Sequence, residues 1–317
     1  MSEVLLNRNE EASKRKKLAN LKKEVIATSI VMPVVIGFCA FTLFPMLFSL
    51  VVSFTELHSY NVRYAEWTGW SNYQFLLTVD LQSGWFGTSL KNIAIYIICV
   101  PFNLILAIFL ANQLSKKVVG SKFMRIIMFM PQVISSVAIT MVFKWMFQED
   151  FGMINTALSS IGLEKMKWTT DADTFSFGVF LLSVWMNGTN VIVLESGFLN
   201  VDKSIQEAAM VDGASDMVVF WRITLPALTP TIFYLWTIWF VAGLQEQTVM
   251  QIISNNGTGP EDRALTPVYY IWKMGFQASA SRGFGVACAL SWIVALGIMG
   301  LTKLNFWLSK FWVSEDF

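Results

Sequence analysis

The chain has 317 residues, of which 55% are hydrophobic and only 14% are charged, against about 25% charged residues in a typical soluble domain. Its formal net charge is +1, so the chain as a whole has no strong positive potential that would attract nucleic acid. This composition predicts one membrane-embedded unit rather than two soluble domains.

The first elements in the chain are a polar, basic segment over residues 1–25 and the apolar run 26–54. The apolar region of a secretory signal has roughly 7–15 residues. The run is longer than that, so we expect it to stay in the membrane as the first span. The basic segment is expected to contact anionic membrane lipid.

Six runs are long and apolar enough to cross a bilayer, which takes about 20 helical residues. They cover residues 26–54, 89–112, 124–147, 174–199, 227–250 and 284–306. The sequence therefore predicts an all-α integral membrane protein. Its membrane domain would cover 26–306, with a C-terminal tail at 307–317.

The distribution of lysine and arginine predicts the orientation, because cytoplasmic loops carry an excess of both. Basic residues are concentrated in the N-terminal segment and around the connector 113–123, whereas the connectors 55–88 and 148–173 hold few. The connector 251–283 is less one-sided. The balance places both termini and the connector 200–226 in the cytoplasm.

Several catalytic and nucleotide-binding patterns are missing from the sequence. It has no GxxxxGK[ST] phosphate loop, no HExxH, no CxxC pair and no GxSxG. Its one histidine, His58, is predicted to lie in a loop, and its three cysteines are scattered in apolar runs, which is typical of packing residues. An intramembrane enzyme built on Glu195 and Glu246 is an alternative, and a stand-alone channel or carrier is another.

The connector 200–226 is predicted to fold as two short helices at an angle. Asp202 fits the N-cap of a helix over Lys203–Val211, and Gly213 fits the left-handed turn that ends such a helix. Ser215 would begin the second helix. A proline closes the connector and cannot continue the hydrogen-bond ladder, so it marks the passage into the next span.

The spacing within this connector resembles the signature loop of ABC importer permeases, which reads EAA, three residues, G, nine residues and I-x-L-P. The matching positions are Glu207, Ala208, Ala209, Gly213, Ile223, Leu225 and Pro226. Further segments at 44–54, 68–77, 151–163 and 268–276 are similar, in order and spacing, to segments of carbohydrate importer permeases of the maltose type. The chain lacks the extra N-terminal spans and the large periplasmic insertion of the maltose permease. It is more similar to the six-span first permease of oligosaccharide and multiple-sugar importers.

This resemblance implies the type I permease fold of ABC importers, in a bacterial-type cytoplasmic membrane, and a subunit that catalyses no reaction. The subunit would bind no cofactor, since ATP and Mg²⁺ would bind to two separate cytoplasmic ATPase subunits. A second, related permease would complete the pathway as a heterodimer. An extracellular solute-binding protein would deliver the carbohydrate, and nucleic acid is not an expected partner.

The resemblance also implies which residues couple the chain to its ATPase. They are Glu207, Ala208, Ala209, Met210, Val211, Gly213, Phe220, Leu225 and Pro226. Glu207 would supply polar contacts, Ala208 would permit close approach, and Gly213 would set the bend. The three large apolar side chains Met210, Val211 and Phe220 would form the docking face.

Two polar stripes are candidates for the lining of the transport pathway. A sugar site needs hydrogen-bonding partners for hydroxyls and flat apolar faces. The stripes, each spaced i, i+4, i+7, are Ser183, Asn187 and Asn190 in the fourth span and Trp239, Gly243 and Glu246 in the fifth. The alternative is hydrogen bonding between helices. A phosphorylated polyol is an alternative substrate, which a cavity-facing Lys144 would favour.

Overall fold

The structure is a computed structural model that describes residues 23–24, 26, 28–57, 61–116, 120–277 and 283–314. The predicted N-terminal basic segment lies almost wholly outside the described residues, and so does His58. The described chain is helical apart from a two-residue strand pair, β1 (Thr55–Glu56) and β2 (Glu66–Trp67), which run antiparallel.

Thirteen labelled helices form the described fold. They are α1 (Thr28–Val52), α2 (Trp85–Ser115), α3 (Ser121–Val133), α4 (Ser136–Met146), α5 (Met153–Ser160), α6 (Ala172–Trp185), α7 (Gly188–Asn200), α8 (Lys203–Val211), α9 (Asp216–Ala227), α10 (Thr229–Leu244), α11 (Thr248–Ile253), α12 (Pro267–Phe276) and α13 (Gly283–Ser309). A further helical stretch covers Ser71–Phe75, a π turn at Leu76–Asp80 and Leu81–Ser83 without a break, and short 3₁₀ turns occur at Val62–Tyr64 and Pro260–Asp262.

Six candidate membrane spans follow from these helices. The helices α1, α2 and α13 are continuous and long enough to cross a bilayer, and three bent pairs complete the set. The pairs are α3 with α4, bent by 109°, α6 with α7, bent by 41°, and α9 with α10, bent by 62°. An apolar run predicts a span but does not reveal a bend, since bent and straight helices bury the same kind of side chain.

The predicted third span, 124–147, is divided at Ile134 and Ser135. Both residues have extended backbone, with ψ near 140°. Pro131 lies in the last turn of α3, where its ring removes one backbone donor and disfavours continued helix. The third span is thus two helices that meet at a sharp angle.

The predicted fifth span, 227–250, differs from the structure at both ends. Helical backbone continues through Pro226 to Ala227, and the bend falls at Leu228. The span then ends at Leu244, and α11 begins at Thr248. The proline therefore precedes the bend by two residues and does not end the helix.

The first outer connector forms a small ordered unit beside the end of α1. The Asn72 amide nitrogen donates to the carbonyls of Ser53 and Thr55, each at 2.9 Å. Phe54 contacts the rings of Trp67, Trp70 and Tyr73 at 5.1–5.7 Å between centroids. These contacts hold the connector against the end of α1, and aromatic rings are common where spans meet the membrane interface.

The packed interior is formed mainly by α2, α7 and α10 at one end of the bundle. Ala107 and Ala111 of α2 are fully buried against Leu194 of α7 and Leu228 at the start of α10. Small residues on α2 let these helices approach closely. By contrast, α1 is almost wholly exposed, as expected of a helix that faces lipid or another subunit.

Candidate functional site: the coupling segment and the polar helix breaks

The first helix of the connector, α8, begins and ends as its sequence dictates. The Asp202 carboxylate accepts a hydrogen bond of 2.8 Å from the backbone N–H of Ser204. This bond holds the pKa of Asp202 below its usual value, because a hydrogen bond to the carboxylate favours the charged form. The cap is therefore formed at neutral pH, and it weakens only as the pH falls through that lowered value. We call residues 202–227 the coupling segment.

Gly213 ends α8 through a left-handed turn, with φ of +87°. The backbone N–H of Ala214 donates to Ala209 O at 2.9 Å, and that of Gly213 donates to Met210 O at 3.0 Å. These two bonds form a Schellman motif. A Cβ at Gly213 would meet nothing within 4 Å, so only the backbone conformation requires glycine here.

The second helix, α9, contains a π-helical turn at Phe220–Thr224. Its N-cap is Ser215, whose side chain makes no capping bond, and Asp216 lies in the first turn. Pro226 follows two residues after the π turn and has no N–H to donate. The turn is closed by the backbone N–H of Leu225, which donates to Phe220 O five residues earlier, the pattern of a π turn.

The surface of the coupling segment carries apolar side chains beside a charged one. Glu207 and Ala208 are exposed, and Ala209 is half-buried. Val211 is 88% exposed and Met210 45% exposed. Apolar side chains presented in this way on a predicted cytoplasmic surface are typical of a binding interface.

Met217 and Trp221 belong to the same surface, and the sequence analysis missed them. They are 65% and 59% exposed, and the Trp221 indole nitrogen lies 3.1 Å from the Met217 sulfur. Their spacing of four residues on a helix was the available signal.

Phe220 and Leu225 face the protein interior instead. The Phe220 ring stacks on Phe198 with 6.4 Å between centroids, and Leu225 packs on the same cluster. The Phe220 ring therefore packs partly against the bundle and does not point outward as Val211 does. Both residues support the base of the coupling segment, as does the half-buried Pro226.

A cleft of about 400 Å³ lies between the coupling segment and the end of α2. Its lining includes Lys116 and Asn112 from α2, Lys203 and Met210 from α8, and Asp216 from α9. The cleft separates α8 from the end of α2, while α8 packs against α9 on another side.

The predicted stripe of the fourth span lies at the break between α6 and α7. Asn103 of α2 was not predicted from the sequence. Its side-chain amide donates to Ser183 Oγ at 2.9 Å, and its backbone carbonyl accepts from the Asn187 side-chain amide at 2.6 Å. The Asn190 amide donates to Asn187 Oδ1 at 2.8 Å. All three asparagines are at least 98% buried. The two bonds of Asn103 join α2 to the chain around the break, whereas the bond between Asn187 and Asn190 lies within the start of α7.

This asparagine cluster also holds two unused acceptors. The side-chain oxygens of Asn103 and Asn190 are buried and have no hydrogen-bond partner among the residues that the structure describes. Each such group is costly in a membrane-embedded protein. The cluster is therefore a place where a small backbone or side-chain rearrangement can gain hydrogen bonds.

The three residues predicted to form a polar stripe in the fifth span lie in different surroundings. Trp239 is half-buried on α10, whereas a Cβ on Gly243 would lie 3.3 Å from Ile97 of α2. Glu246 lies beyond the end of α10, where its carboxylate accepts from the Val249 backbone N–H at 2.9 Å. The three residues do not share one helix face, because the helix ends at Leu244.

The carboxylates of the enzyme alternative have separate partners. Glu195 is bound by the Arg125 guanidinium, with 2.8 and 3.0 Å from Nε to the two carboxylate oxygens, while Glu246 caps α11. Lys144 donates to Ile252 O at 3.0 Å and to the Asn255 side chain, and it lines a cleft of about 350 Å³.

The comparisons with known proteins define the class. Residues 103–311 match the family of the binding-protein-dependent transport system inner membrane component. The chain therefore belongs to this family and is a permease component of a binding-protein-dependent ABC importer.

Its relatives include permeases of sugar transport systems, which the chain matches over 85% of their length in one case and 49% in another. The chain is 32% identical to the probable ABC transporter permease protein YesP of Bacillus subtilis over 309 residues, covering 96% of this chain and 97% of the relative. It is 28% identical to the arabinooligosaccharides permease AraP of the same species, covering 86% and 85%. It is 25% identical to the maltose/maltodextrin permease MalF of Escherichia coli K12, covering 76% of this chain and 49% of that one.

The fold is also that of solved importers. It resembles the crystal structure of a bacterial ABC transporter involved in the import of the acidic polysaccharide alginate, with a TM-score of 0.79 and 21% identity over 93% of this chain and 98% of that chain. The structure of the bacterial alginate ABC transporter in complex with an alginate pentasaccharide-bound periplasmic protein gives a TM-score of 0.74 and 21% identity, over 90% and 94%.

Family membership confirms several predictions at once. The chain is a multi-pass protein of the cytoplasmic membrane with the ABC importer permease fold. It is a transporter subunit rather than an enzyme and binds no cofactor of its own, since the ATPase is a separate subunit. The family belongs to binding-protein-dependent transport systems.

Proposed function

We propose that the chain forms half of the translocation pathway of an ATP-driven oligosaccharide importer and is moved by its ATPase through the coupling segment. The observation that carries this proposal is the ordered coupling segment itself. Glu207, Met210 and Val211 are presented outward from a helix that is capped at both ends. Two ATPase subunits, a related second permease and an extracellular binding protein complete the assembly, with both termini in the cytoplasm.

The carbohydrate class is supported by the relatives. The permeases that the chain resembles along most of their length include one of an arabinooligosaccharide system, one of a lactose system and one of a multiple sugar-binding system. In the chain itself, polar groups meet at the helix breaks and Trp239 offers a flat apolar face, which suits a ligand with hydroxyls on one side and C–H groups on the other.

The function is tested by purifying the chain with its partners and measuring ATP hydrolysis with its binding protein and a panel of sugars. The panel contains lactose, maltodextrins and arabinooligosaccharides. We expect one sugar class to stimulate hydrolysis. We also expect Glu207→Ala to lower that stimulation at least about fivefold, the lower end of coupling between linked sites. Glu164→Ala, a change of an exposed carboxylate on an outer connector, is the matched control. Full stimulation in Glu207→Ala would contradict the coupling role.

An anionic solute is the second candidate, favoured by the position of Lys144. Its ammonium group lies beside the cleft that Trp145 and Gln148 also line. Acidic oligosaccharides from alginate and a phosphorylated polyol are therefore added to the panel. Stimulation by these compounds alone would replace the neutral sugar as the substrate class.

We propose that Trp239 and the asparagine cluster line the transport pathway. If only one of them contacts the sugar, substitutions at the two places will have different effects on uptake. Trp239→Ala is expected to lower uptake of the preferred sugar about two- to tenfold, since an aromatic contact is worth about 0.5–1.5 kcal/mol. Asn187→Ala changes the ranking of sugars if Asn187 lines the pathway, and lowers uptake of all sugars equally if it only joins helices. Uptake rates across the panel distinguish the two, and unchanged rates in both variants would remove both residues from the pathway.

A further inference from the structure

The helices α3 and α7 run antiparallel and are joined at three levels along one face of α3. Gln132 donates from its amide to the carbonyl of Met186, at the break that precedes α7. One helical turn away, α3 approaches α7 so closely that a Cβ on Gly188 would lie 1.9 Å from Met128 O. The two contacts place the outer halves of α3 and α7 at a fixed separation.

The third level is the ion pair between Arg125 and Glu195. Arg125 follows the same face of α3, since positions 125, 128 and 132 are spaced i, i+3 and i+7. Its Nε donates to both carboxylate oxygens, at 2.8 and 3.0 Å, and Nη2 donates to Oε1 as well. A guanidinium that contacts a carboxylate through two nitrogens fixes the orientation of both groups as well as their distance.

The pair is placed where an unpaired charge would be costly. The Glu195 side chain is 5% exposed and that of Arg125 36% exposed. A buried carboxylate without a partner loses its hydration free energy, and no other interaction compensates for that loss. The contact is therefore expected to persist when the helices move, provided that they move together.

Glu195 is also close to the coupling segment along the chain. It lies in the second half of α7, which ends at Asn200, and only residues 201 and 202 separate α7 from α8. The other end of α3 meets α4 at the 109° bend. The helix α3 is thus joined to α7 by side chains and to α4 only through two extended residues.

We propose that Arg125 and Glu195 are positioning residues that make α3 move as one body with α7 and the coupling segment, while α4 stays with the outer part of the protein. The proposal rests on the coupling function proposed above. In this arrangement, movement imposed on α8 passes directly into α7 and sideways into α3, and the third span flexes at Ile134 and Ser135.

The test measures distances between spin labels in the full importer, without nucleotide and with ATP trapped by vanadate. In a chain whose three cysteines are replaced by alanine, one pair of labels at Ile126 and Lys203 reports on α3 against α8. A second pair at Leu163 and Lys203 reports on α8 against the outer connector. All three positions are exposed. Wild-type chain is expected to keep the first distance and change the second.

Glu195→Gln is expected to release α3, so that trapping ATP shifts or broadens the first distance by at least about 3 Å, the rise of two helical residues. The reciprocal exchange Arg125→Glu with Glu195→Arg should restore the constant distance. Lys122→Gln, which removes an exposed positive charge from the same helix, should leave it constant. If the ion pair had a structural role alone, Glu195→Gln would lower the yield of the importer without changing the first distance between the two states.

A constant first distance in Glu195→Gln would overturn the inference. If Glu195→Gln does not assemble, Arg125→Lys gives the answer, because it keeps the charge but not the two-pronged contact. A constant first distance in that variant would overturn the inference equally. A second distance that does not respond to ATP would instead contradict the proposed coupling function, so the two failures are distinguishable.

Discussion

Replacing Gly213 with valine is expected to uncouple ATP hydrolysis from transport. The residue has φ of +87°, a region that β-branched residues avoid because the side chain meets the backbone. Holding such a residue there costs about 1–3 kcal/mol, so the turn opens and the two bonds that end α8 are lost. The exposed face of α8 then no longer has a fixed angle to α9. Stimulated ATP hydrolysis and uptake, measured on the same preparation, check this expectation.

Gly213→Asn is the control for this experiment. Asparagine adopts the left-handed conformation far more readily than valine does, and no neighbour would contact its Cβ. We therefore expect uptake by this variant to stay close to that of the wild type. Normal uptake in Gly213→Val, with the ATPase still bound, would show that the bend has no part in coupling.

Replacing Gly188 with alanine adds one methyl group at a helix break. We expect it to lower the stability of the assembly more than any other addition of one methyl group at a break. The new Cβ would lie 1.9 Å from Met128 O and 2.8 Å from its carbonyl carbon, and both are backbone atoms that a side-chain rotation cannot move. The helix α3 must shift away from α7. Overpacking of this kind costs about 1–3 kcal/mol and occasionally more, and the thermal unfolding midpoint of the purified assembly measures it.

Gly297→Ala on α13 is the matched control. Its Cβ would meet nothing within 4 Å, and alanine is favoured over glycine in a helix interior by up to about 1 kcal/mol. The midpoint is therefore expected to stay the same or rise. An unchanged thermal unfolding midpoint in Gly188→Ala would contradict the close packing of α3 against α7.

The local features of the coupling segment could be read from the sequence because their causes are local. The cap at Asp202, the helix Lys203–Val211 and the turn at Gly213 depend on side-chain chemistry within a few residues. The predictions for all three agree with the structure. The orientation of Phe220 could not be read in this way, because it depends on Phe198 of another helix.

The breaks and the polar contacts across helices needed the structure. A hydropathy pattern identifies apolar runs, and a bend at Ile134 or between Trp185 and Gly188 leaves that pattern unchanged. Pro131 was a signal for the first of these bends. The partners Asn103 and Arg125 were hidden, because each is about 70 or more residues away from the side chain it contacts, and a single sequence contains no record of such pairs.

The π turn at Phe220–Thr224 has a consequence for how length changes act in this family. Successive residues of an α-helix are about 100° apart around the axis, and a π turn accommodates one more residue than an α turn does. Deleting one residue inside this turn would let the backbone close into ordinary α-helix, and the face that carries Met217 would keep nearly the same angle relative to α10, because the widened turn already takes up the extra residue. The nine-residue interval between Gly213 and Ile223 therefore includes one residue that the helix takes up locally, and a deletion within the turn is expected to be tolerated better than a deletion elsewhere in α9.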